Sequence, residues 1–385
     1  MQVTDVRCRL VHCPIPPDQR SHTAAGLRLA RQTAIVEVDT DEGITGIGSV
    51  PSPYDLRVTR EIIENVLAPS LAGADPFATE YIWHMLYETE VSRTLGTRGI
   101  GVAALSAIDI ALWDIKGKAL NVPVYALLGG AVAERFRVYA SAIPWTQSPE
   151  QAVEEAELQV HQGYSALKLK FGGDLQRDFE TLEAVRYAVG DDVELMVDAE
   201  MTYPPNIAIR VARVLEEMDV FWFEEPMVVD DLDAYRRLAS ATDVRLALGR
   251  SLSTRHQFKD FVLNDAVQAL QADVARAGGF TEVRKIVDMA SCFNLMWSPH
   301  TIGDIITTVA NLHLAATCLH TPFLEFDVTY NPLMTNLLRS PIRQEEGVIY
   351  IPDGPGLGIE IDDTFIDGFP YQGEPAIGPV TRMQD

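Results

Sequence analysis

The chain has 385 residues and a formal net charge of −24. Hydrophobic residues make up 47% of it and charged residues 22%, which is enough apolar material for a large core and argues against disorder. The acidic excess argues against nucleic acid and anionic membranes as partners, because both require a basic surface. A small anionic substrate stays compatible, since a local site can be positive on a negative protein.

The N-terminal part of the chain predicts a small α+β domain, residues 1–130. Strands are expected at 3–11, 33–39 and 43–50, with a hairpin between the last two. A polar loop, 14–31, separates the first two strands. Helices are expected at 54–67, 77–90 and 101–119, before a proline and a glycine pair end the block.

From residue 137 onward, short apolar runs alternate with amphipathic helices. Eight runs occur, at 137–142, 166–170, 194–198, 220–225, 244–249, 267–273, 295–300 and 323–327. This alternation predicts parallel βα units, and eight such units close into a barrel. We therefore predict an α/β fold with a modified (β/α)8 TIM-like barrel at 131–330. The remaining segment, 331–385, is expected to pack back on the capping domain.

Cysteine usage and the absence of a signal-like N-terminus favour a cytoplasmic protein. Cys8, Cys13, Cys292 and Cys318 form no C-x-x-C pair and no zinc-finger spacing, so we expect free thiols. The N-terminus has the alternation of a strand and not the apolar core of a signal peptide. The most apolar long stretch, 305–319, contains polar residues and predicts a core helix, not a membrane span.

Ionisable residues fall at the predicted C-terminal ends of the barrel strands, where barrels of this kind place their active sites. In strand order they are Lys168 and Lys170, Asp198 with Glu200, Glu224 with Glu225, Arg250, Asp273, His300 and Glu325. So regular a placement predicts one polar site at the mouth of the barrel.

The two lysines lie two residues apart, so both side chains point to the same side of the strand. Repulsion between two ammonium groups would lower the pKa of at least one and prepare it as a base. A solvated strand edge is the alternative. Asp198 and Glu224 follow buried runs, and their hard oxygens suit Mg²⁺. The alternative for these carboxylates is an ion pair with the lysines.

Asp273 and His300 end adjacent strands, which brings a carboxylate within reach of one imidazole nitrogen. That contact would leave the other nitrogen free as a base and stabilise the protonated ring. A purely structural histidine is the alternative. Glu325 ends the last strand, where a buried acid can stay protonated and donate to an oxyanion. An ion pair beneath the site is the alternative for Glu325.

Several motifs, read together, resemble the enolase superfamily and its mandelate racemase subgroup over nearly the whole chain. The motifs that carry the resemblance are the run AIDIALWDIKGK at 107–118, Pro123, LLGG at 127–130, Glu224-Glu225-Pro226, Gly278-Gly279 and PGLG at 355–358. The resemblance implies a capping domain over a modified barrel. It also implies proton abstraction next to a carboxylate, with Mg²⁺ as the cofactor.

The resemblance implies roles for the strand-end residues. Lys170 is expected to be a base on one face of the substrate, with Lys168 assisting at the carboxylate. His300, oriented by Asp273, serves the other face, and Glu325 helps to hold the enediolate. Asp198 and Glu224 are the expected metal ligands.

The chain departs from the family pattern after the fifth strand, where the third metal ligand is usually a Glu. Here the residue is Arg250, which cannot ligate Mg²⁺. A second departure, Glu200 in place of an Asn, leads us to expect that Arg250 pairs with Glu200. Three outcomes stay open: a metal on Asp198 and Glu224 with waters, Glu200 as a substitute ligand, or Arg250 in place of the metal.

We expect dehydration of a small anionic hydroxy acid, namely a sugar acid such as an aldonate or aldarate. Racemisation or epimerisation of a 2-hydroxy acid is one alternative, and a degenerate carboxylate-binding protein is another, because of Arg250. Substrate choice is assigned to the cap, through Arg20, His22, Arg28 and Tyr54. A homo-oligomer is expected.

Overall fold

The computed structural model describes residues 1–52, 55–144 and 148–378. In the cap, β1 (Val3–Pro14) is followed by a short hairpin of β2 (His22–Thr23) and β3 (Gly26–Leu27) within the predicted polar loop. The strands β4 (Ala30–Thr40) and β5 (Thr45–Pro51) complete an antiparallel sheet with β1, in which β4 is central. The three long strands predicted from the sequence are therefore present.

Helices cover this sheet. They are α1 (Leu56–Glu61) with a π-helical turn at Ile62–Leu67, α2 (Thr79–Leu86) with a π-helical turn at Tyr87–Leu95, α3 (Ile100–Leu120) and α4 (Val124–Leu127), with 3₁₀ turns at Pro17–Gln19 and Ala68–Ser70. A side chain at Gly46 or Gly48 would lie 2.0 Å from the carbonyl oxygens of Ala111 and Ala107, so only glycine lets β5 approach α3 this closely.

Eight parallel strands form the second domain. They are β6 (Arg135–Ile143), β7 (Ala166–Lys170), β8 (Glu194–Asp198), β9 (Trp222–Glu224), β10 (Leu246–Leu248), β11 (Ala269–Leu270), β12 (Met296–Trp297) and β13 (Leu324–Asp327). Each pairs with the next from β6 to β12, and β13 pairs with β6. Within the described ranges no ladder joins β12 to β13, and hydrogen bonds from Trp297 N to His320 O and from Ser298 Oγ to Phe323 O cross that junction.

Helices on the outside of the barrel connect these strands. They are α5 (Pro149–His161), α6 (Leu175–Val189), α7 (Pro205–Glu217), α8 (Leu232–Ala239), α9 (Thr254–Leu263), α10 (Gly279–Cys292) and α11 (Ile305–Ala315). Apart from the ionisable residues near the mouth of the barrel, the strands are apolar on both faces because helices cover one face and the barrel interior the other. Helix α11 is buried along its whole length, as the sequence predicted for this stretch.

The C-terminal segment contacts both domains. Its strands β14 (Gln344–Glu345) and β15 (Val348–Tyr350) extend the barrel sheet through β6. Two short helices, α12 (Pro332–Thr335) and α13 (Asp363–Gly368), flank them. Further on, Pro370 bridges to Val11 and Ile377 bridges to Arg28 in the cap.

The predicted fold class, a modified barrel with an α+β cap, is confirmed. The division at 1–130, 131–330 and 331–385 stays a prediction. The four cysteines are free thiols in the structure. Among the described helices, none is both long and apolar enough to cross a bilayer.

Candidate active site

A cavity of about 350 Å³ lies between the mouth of the barrel and the hairpin loop of the cap. This size suits a small organic acid. Five cationic side chains and three carboxylates of the described residues line the cavity: Arg28, Arg31, Lys170, Arg250 and Arg276, and Glu200, Glu325 and Asp327. The lining therefore carries an excess of two positive charges, in a protein whose net charge is −24.

Lys168 lies beneath the cavity floor, where only 1% of it is exposed. Its Nζ donates to Glu224 Oε2 at 2.9 Å and to Glu325 Oε1 at 2.5 Å, and lies 4.0 Å from Asp198 Oδ2. Burial lowers the pKa of Lys168, but Glu224 and Glu325 outweigh it and hold that pKa well above its usual value. The ion pair considered as an alternative for the carboxylates is thus present.

Lys170 sits one pleat further along the same strand and reaches the cavity. Its Nζ donates to Asp198 Oδ2 and to Glu200 Oε1, the latter at 2.9 Å. Burial lowers its pKa, but these two carboxylates raise it above the usual value. The lowered lysine pKa expected from ammonium repulsion is therefore wrong: each ammonium lies closer to carboxylates than the argument from the sequence allowed.

Arg250 follows β10 and enters the cavity beside the two lysines. Its Nε donates to Glu225 Oε2 at 3.0 Å, and its Nη1 lies 3.6 Å from both Asp198 Oδ2 and Glu200 Oε1. Glu225 is fully buried and also accepts from the amide and hydroxyl of Ser251. The predicted pairing with Glu200 is present as an ion pair at 3.6 Å, and Glu225 is the hydrogen-bonded partner of Arg250.

These contacts test whether the predicted metal ligands fit Mg²⁺. Asp198 Oδ2 accepts from Lys170, and Asp198 Oδ1 accepts from the Glu200 amide at 2.8 Å. Both oxygens of Glu224 accept from Lys168, and Oε2 also accepts from Gln271 at 2.8 Å. Across the described residues, no three His, Cys, Asp or Glu side chains are grouped as metal ligands. Asp198 and Glu224 already accept hydrogen bonds on all four of their carboxylate oxygens. The positive charges of Lys168, Lys170 and Arg250 lie beside them, so this site does not fit a divalent cation.

His300 follows β12 and is buried against Asp273. Its Nδ1 lies 2.9 Å from Asp273 Oδ2, and Asn311 Nδ2 donates to the other oxygen of that carboxylate at 2.9 Å. The predicted contact is therefore present, and it leaves Nε2 as the remaining ring nitrogen. Burial lowers the pKa of His300 to about 3, against the opposing effect of Asp273. The expected stabilisation of the protonated ring is wrong, because loss of hydration outweighs one carboxylate.

Glu325, at the end of the last barrel strand, is held on both sides. Its Oε1 accepts from Ser141 Oγ at 2.7 Å as well as from Lys168, and its Oε2 accepts from the Thr301 amide at 3.2 Å. Burial raises the pKa of Glu325, but Lys168 and the hydrogen bonds lower it below the usual value. Glu325 is thus an ion-paired carboxylate here, and the neutral acid expected from its burial is wrong for this geometry.

The cap residues predicted to bind substrate divide into three groups. His22 and Arg28 line the cavity. Arg20 is exposed, lies outside the lining, and its Nε donates to Ile15 O at 3.1 Å. Tyr54 lies outside the described residues. The backbone amide of Ala24 donates to Glu200 Oε2 at 2.6 Å, so Glu200 fastens the hairpin loop to the barrel.

Three side chains at the site were not among the predicted functional residues. Glu225, which positions Arg250, stands in the Glu-Glu-Pro motif next to a predicted ligand, and the departure at Arg250 was the signal that it needed a partner. Arg31 pairs with Asp327 at 2.9 Å, and Arg276 lies 3.6 Å from Asp273 Oδ2. Nothing in the sequence alone distinguished these two arginines from surface ones.

Comparison with known proteins was made on both sequence and structure. The family model for the mandelate racemase / muconate lactonizing enzyme N-terminal domain matches residues 6–129, and the enolase C-terminal domain-like model matches 151–365. A D-galactarolactone cycloisomerase of Agrobacterium fabrum is 34% identical over 94% of this chain and 97% of its own. An arabinonate dehydratase of Saccharolobus solfataricus is also 34% identical, over 85% of this chain and 87% of its own.

Solved structures of the same group of proteins are also similar to this chain. A mandelate racemase homologue from Bordetella bronchiseptica RB50, crystallised with 2-oxoglutarate/phosphate, has a TM-score of 0.92 and 46% identity over 98% of this chain and 100% of its own. A racemase from Streptomyces coelicolor A3(2) with bound magnesium has a TM-score of 0.88 and 27% identity over 96% and 100%. The chain is therefore a member of the enolase superfamily, in its mandelate racemase and muconate lactonizing enzyme group.

Proposed function

We propose that the protein removes the proton next to the carboxylate of a sugar acid and dehydrates the resulting enediolate. The observation that carries the proposal is the placement of Lys170 and His300 on the same cavity. They end the second and seventh barrel strands, with the first and eighth strands between them. A substrate in the cavity is thereby offered one proton-transfer group from each side.

His300 is the proposed base, so the roles expected from the resemblance, in which Lys170 is the base, are exchanged in this proposal. A pKa lowered to about 3 keeps the imidazole neutral at neutral pH, and Asp273 at 2.9 Å from Nδ1 fixes the ring so that Nε2 accepts. Lys170, whose pKa is held above its usual value, is the proposed donor. In the balanced step the Cα–H bond breaks toward His300 and the β C–O bond breaks. The hydroxyl leaves as water with a proton from Lys170, and the enol becomes a 2-keto-3-deoxy acid.

The enediolate carries two negative charges that must be stabilised as they form. The predicted Mg²⁺ does not fit the donor set, so no step is assigned to it. Arg250 supplies the alternative: Glu225 takes only Nε, and the N–H groups on its terminal nitrogens can fork onto a carboxylate. Lys168, beneath the floor, is already paired with Glu224 and Glu325, so the assisting role expected for it is not part of this proposal. Of the three outcomes left open by the sequence, the contacts support Arg250 in place of the metal.

The relatives support the substrate class. Proteins similar to this chain include an arabinonate dehydratase, a D-gluconate dehydratase and an L-talarate/galactarate dehydratase. A cycloisomerase acting on D-galactarolactone is also among them. Aldonates and aldarates are therefore the proposed substrates, and both are small anions that match the positive lining of the cavity.

Proton exchange at Cα in D₂O, followed by ¹H NMR over a panel of aldonates and aldarates, tests the proposal. We expect wild type to exchange the α-proton of at least one acid and to form a 2-keto-3-deoxy product. His300→Asn should slow exchange by about 10²–10⁴-fold. Lys170→Met should slow dehydration more than α-proton exchange. The reason is that Lys170 is proposed to protonate the leaving hydroxyl only after His300 has removed the α-proton.

Surface variants His161→Asn and Lys259→Met are the matched controls and should retain wild-type rates, since both side chains are exposed and neither lines the cavity. Appearance of a diastereomer without a keto acid would favour the epimerase alternative. Absence of exchange with every acid, despite binding, would favour the carboxylate-binding alternative and contradict the enzyme.

A cytoplasmic location and a homo-oligomeric state belong to the same proposal. Four free thiols support a reducing compartment. Fractionation of the native source and light scattering of the purified protein measure these two properties.

A further inference from the structure

Arg28 stands out among the cations of the cavity because its side chain forms no ion pair with any of the described residues. Its Nε is buried without an acceptor, and its guanidinium makes no hydrogen bond or ion pair within the described part of the chain. Burial and the nearby Arg31 lower its pKa to about 9. An unpaired guanidinium in this position costs stability, because a charge removed from water needs a partner.

The backbone holds Arg28 in place from both sides. Its amide donates to Ser21 O at 2.9 Å, and the residue bridges to Ile377 of the C-terminal segment. The neighbouring bonds from Leu29 N to Ala376 O, at 2.7 Å, and from Gly378 N to Leu27 O, at 2.8 Å, complete this small sheet. Arg28 is therefore presented by a fixed strand over the cavity.

Asp327 and Glu200 are the two carboxylates whose charges act on Arg28, and both already bind other groups. Asp327 pairs with Arg31 at 2.9 Å and accepts from Asn331 at 3.0 Å. Glu200 accepts from Lys170 and from the Ala24 amide. The charges of both carboxylates oppose the lowering of the pKa of Arg28, but neither forms an ion pair with it within the described part of the chain. A direct partner is therefore left for the contents of the cavity to supply.

The lining of the cavity carries cations from both domains. At the floor, Arg250 lies among the strand-end residues that would meet the reacting carboxylate. At the roof, Arg28 belongs to the cap. The excess of two positive charges in the lining equals the charge of a dicarboxylate, whereas an aldonate would leave one positive charge unmatched.

We propose that Arg28 binds the second, non-reacting carboxylate of a dicarboxylic sugar acid, which makes an aldarate the preferred substrate class. This inference rests on the proposed function, because it assigns the floor of the cavity to the reacting carboxylate. It assigns to Arg28 the end of the substrate that the strand-end residues do not contact.

Matched pairs of acids test the assignment. Galactarate and galactonate, or glucarate and gluconate, differ only in a carboxylate against a hydroxymethyl group at C6. Titration calorimetry in the His300→Asn background measures binding without consumption of the acid. We expect aldarates to bind about 10- to 100-fold more tightly than their aldonate partners, as for a charge-assisted bidentate contact.

Adding Arg28→Gln should reduce this preference to less than about threefold, with aldonate affinity nearly unchanged. Arg213→Gln, on an exposed face of α7, removes the same charge elsewhere and should preserve the preference. As a second readout, Arg28→Gln without acid should have a higher melting temperature than wild type, since it removes an unpaired charge. A lower melting temperature would contradict the claim that Arg28 lacks a partner.

Equal affinity for both acids of every pair, an equal loss for both in Arg28→Gln, or no binding of either class would each overturn the inference. Calorimetry requires no turnover, so these outcomes are separate from the α-proton exchange that tests the proposed function. Exchange with aldonates and aldarates alike, unaffected by Arg28→Gln, would leave the enzyme standing and remove the second carboxylate site.

Discussion

Positively charged side chains at the floor of the cavity, which is the mouth of the barrel, and at its roof, which is the hairpin loop of the cap, differ in how they are paired. At the floor, Lys168 is surrounded by Glu224, Glu325 and Asp198, so its charge is compensated before any substrate arrives. At the roof, the backbone of Arg28 is held by hydrogen bonds, and its side chain forms no ion pair across residues 1–52, 55–144 and 148–378. We infer from this contrast that Lys168 stabilises the folded protein, whereas Arg28 is available to bind a ligand. Removing charge should therefore destabilise the floor and stabilise the roof.

The largest effect on stability is expected at Lys168. Lys168→Met removes the one ammonium that Glu224 and Glu325 share and leaves buried carboxylates unpaired. We expect a loss of about 3–5 kcal/mol in the free energy of unfolding, measured by urea denaturation at pH 7. Lys259→Met is the exposed control and should change it little. A loss no greater than that of the control would mean that water already solvates this cluster.

The next effect concerns Arg250 and the divalent ion. Arg250→Gln should lower kcat/KM by about 10²–10³-fold, because it removes the cation proposed to face the enediolate. Wild type, stripped with EDTA and verified by metal analysis, should retain its activity, since the donor set does not fit Mg²⁺. Loss of activity on chelation and its recovery with Mg²⁺ would contradict the assignment of Arg250. A milder loss in Arg250→Lys would show that charge matters more than the fork of the guanidinium.

The smallest effect is expected from a histidine remote from the cavity. His313 is fully buried, with Nε2 3.0 Å from Leu357 O and Nδ1 accepting from the Tyr125 amide at 3.3 Å. Burial lowers its pKa to about 4. The unfolded chain, with a histidine of ordinary pKa, then binds more protons than the folded one below about pH 6.5. His313 therefore contributes stability that is present above that pH and is lost as the pH falls toward 4.

His313→Gln should remove this dependence. We expect the free energy of unfolding of wild type to fall by about 1–3 kcal/mol more than that of the variant between pH 7 and pH 4.5. The difference between the two proteins cancels groups common to both, such as Asp109, whose pKa burial raises to about 7. Parallel pH profiles would show that the ring is protonated in the folded protein.

The barrel and the identity of the strand-end residues could be predicted because they depend on local periodicity. Each βα unit carries its own apolar run, and the end of each run fixes which side chain meets the mouth. The contact of Asp273 with His300 followed from the same rule. Cap strands and helices were similarly readable, although the short hairpin at 22–27 lacks a long pattern and went unpredicted.

The protonation states could not be predicted, for a physical reason. A pKa depends on the balance between burial and all nearby charges, and those charges come from different strands. The repulsion of Lys168 and Lys170 was visible in the sequence, but the carboxylates that outweigh it were not placed until the barrel formed. For His300 the error was in the opposite direction: the sequence suggested a stabilised protonated ring, but burial lowers its pKa more than Asp273 raises it. The role of Glu225 likewise needed the geometry that aims it at Arg250.

The junction between β12 and β13 has a consequence for folding. Within the described residues no backbone ladder joins these strands, and Ser298 Oγ to Phe323 O, Thr301 Oγ1 to Glu325 O and Thr301 N to Glu325 Oε2 span the gap instead. The Glu325 carboxylate, which lines the cavity, is thus also part of the seam that closes the barrel. Closure of the barrel at this seam and the placement of Glu325 in the cavity are therefore coupled, so a chain with its seam open would lack this carboxylate at the site.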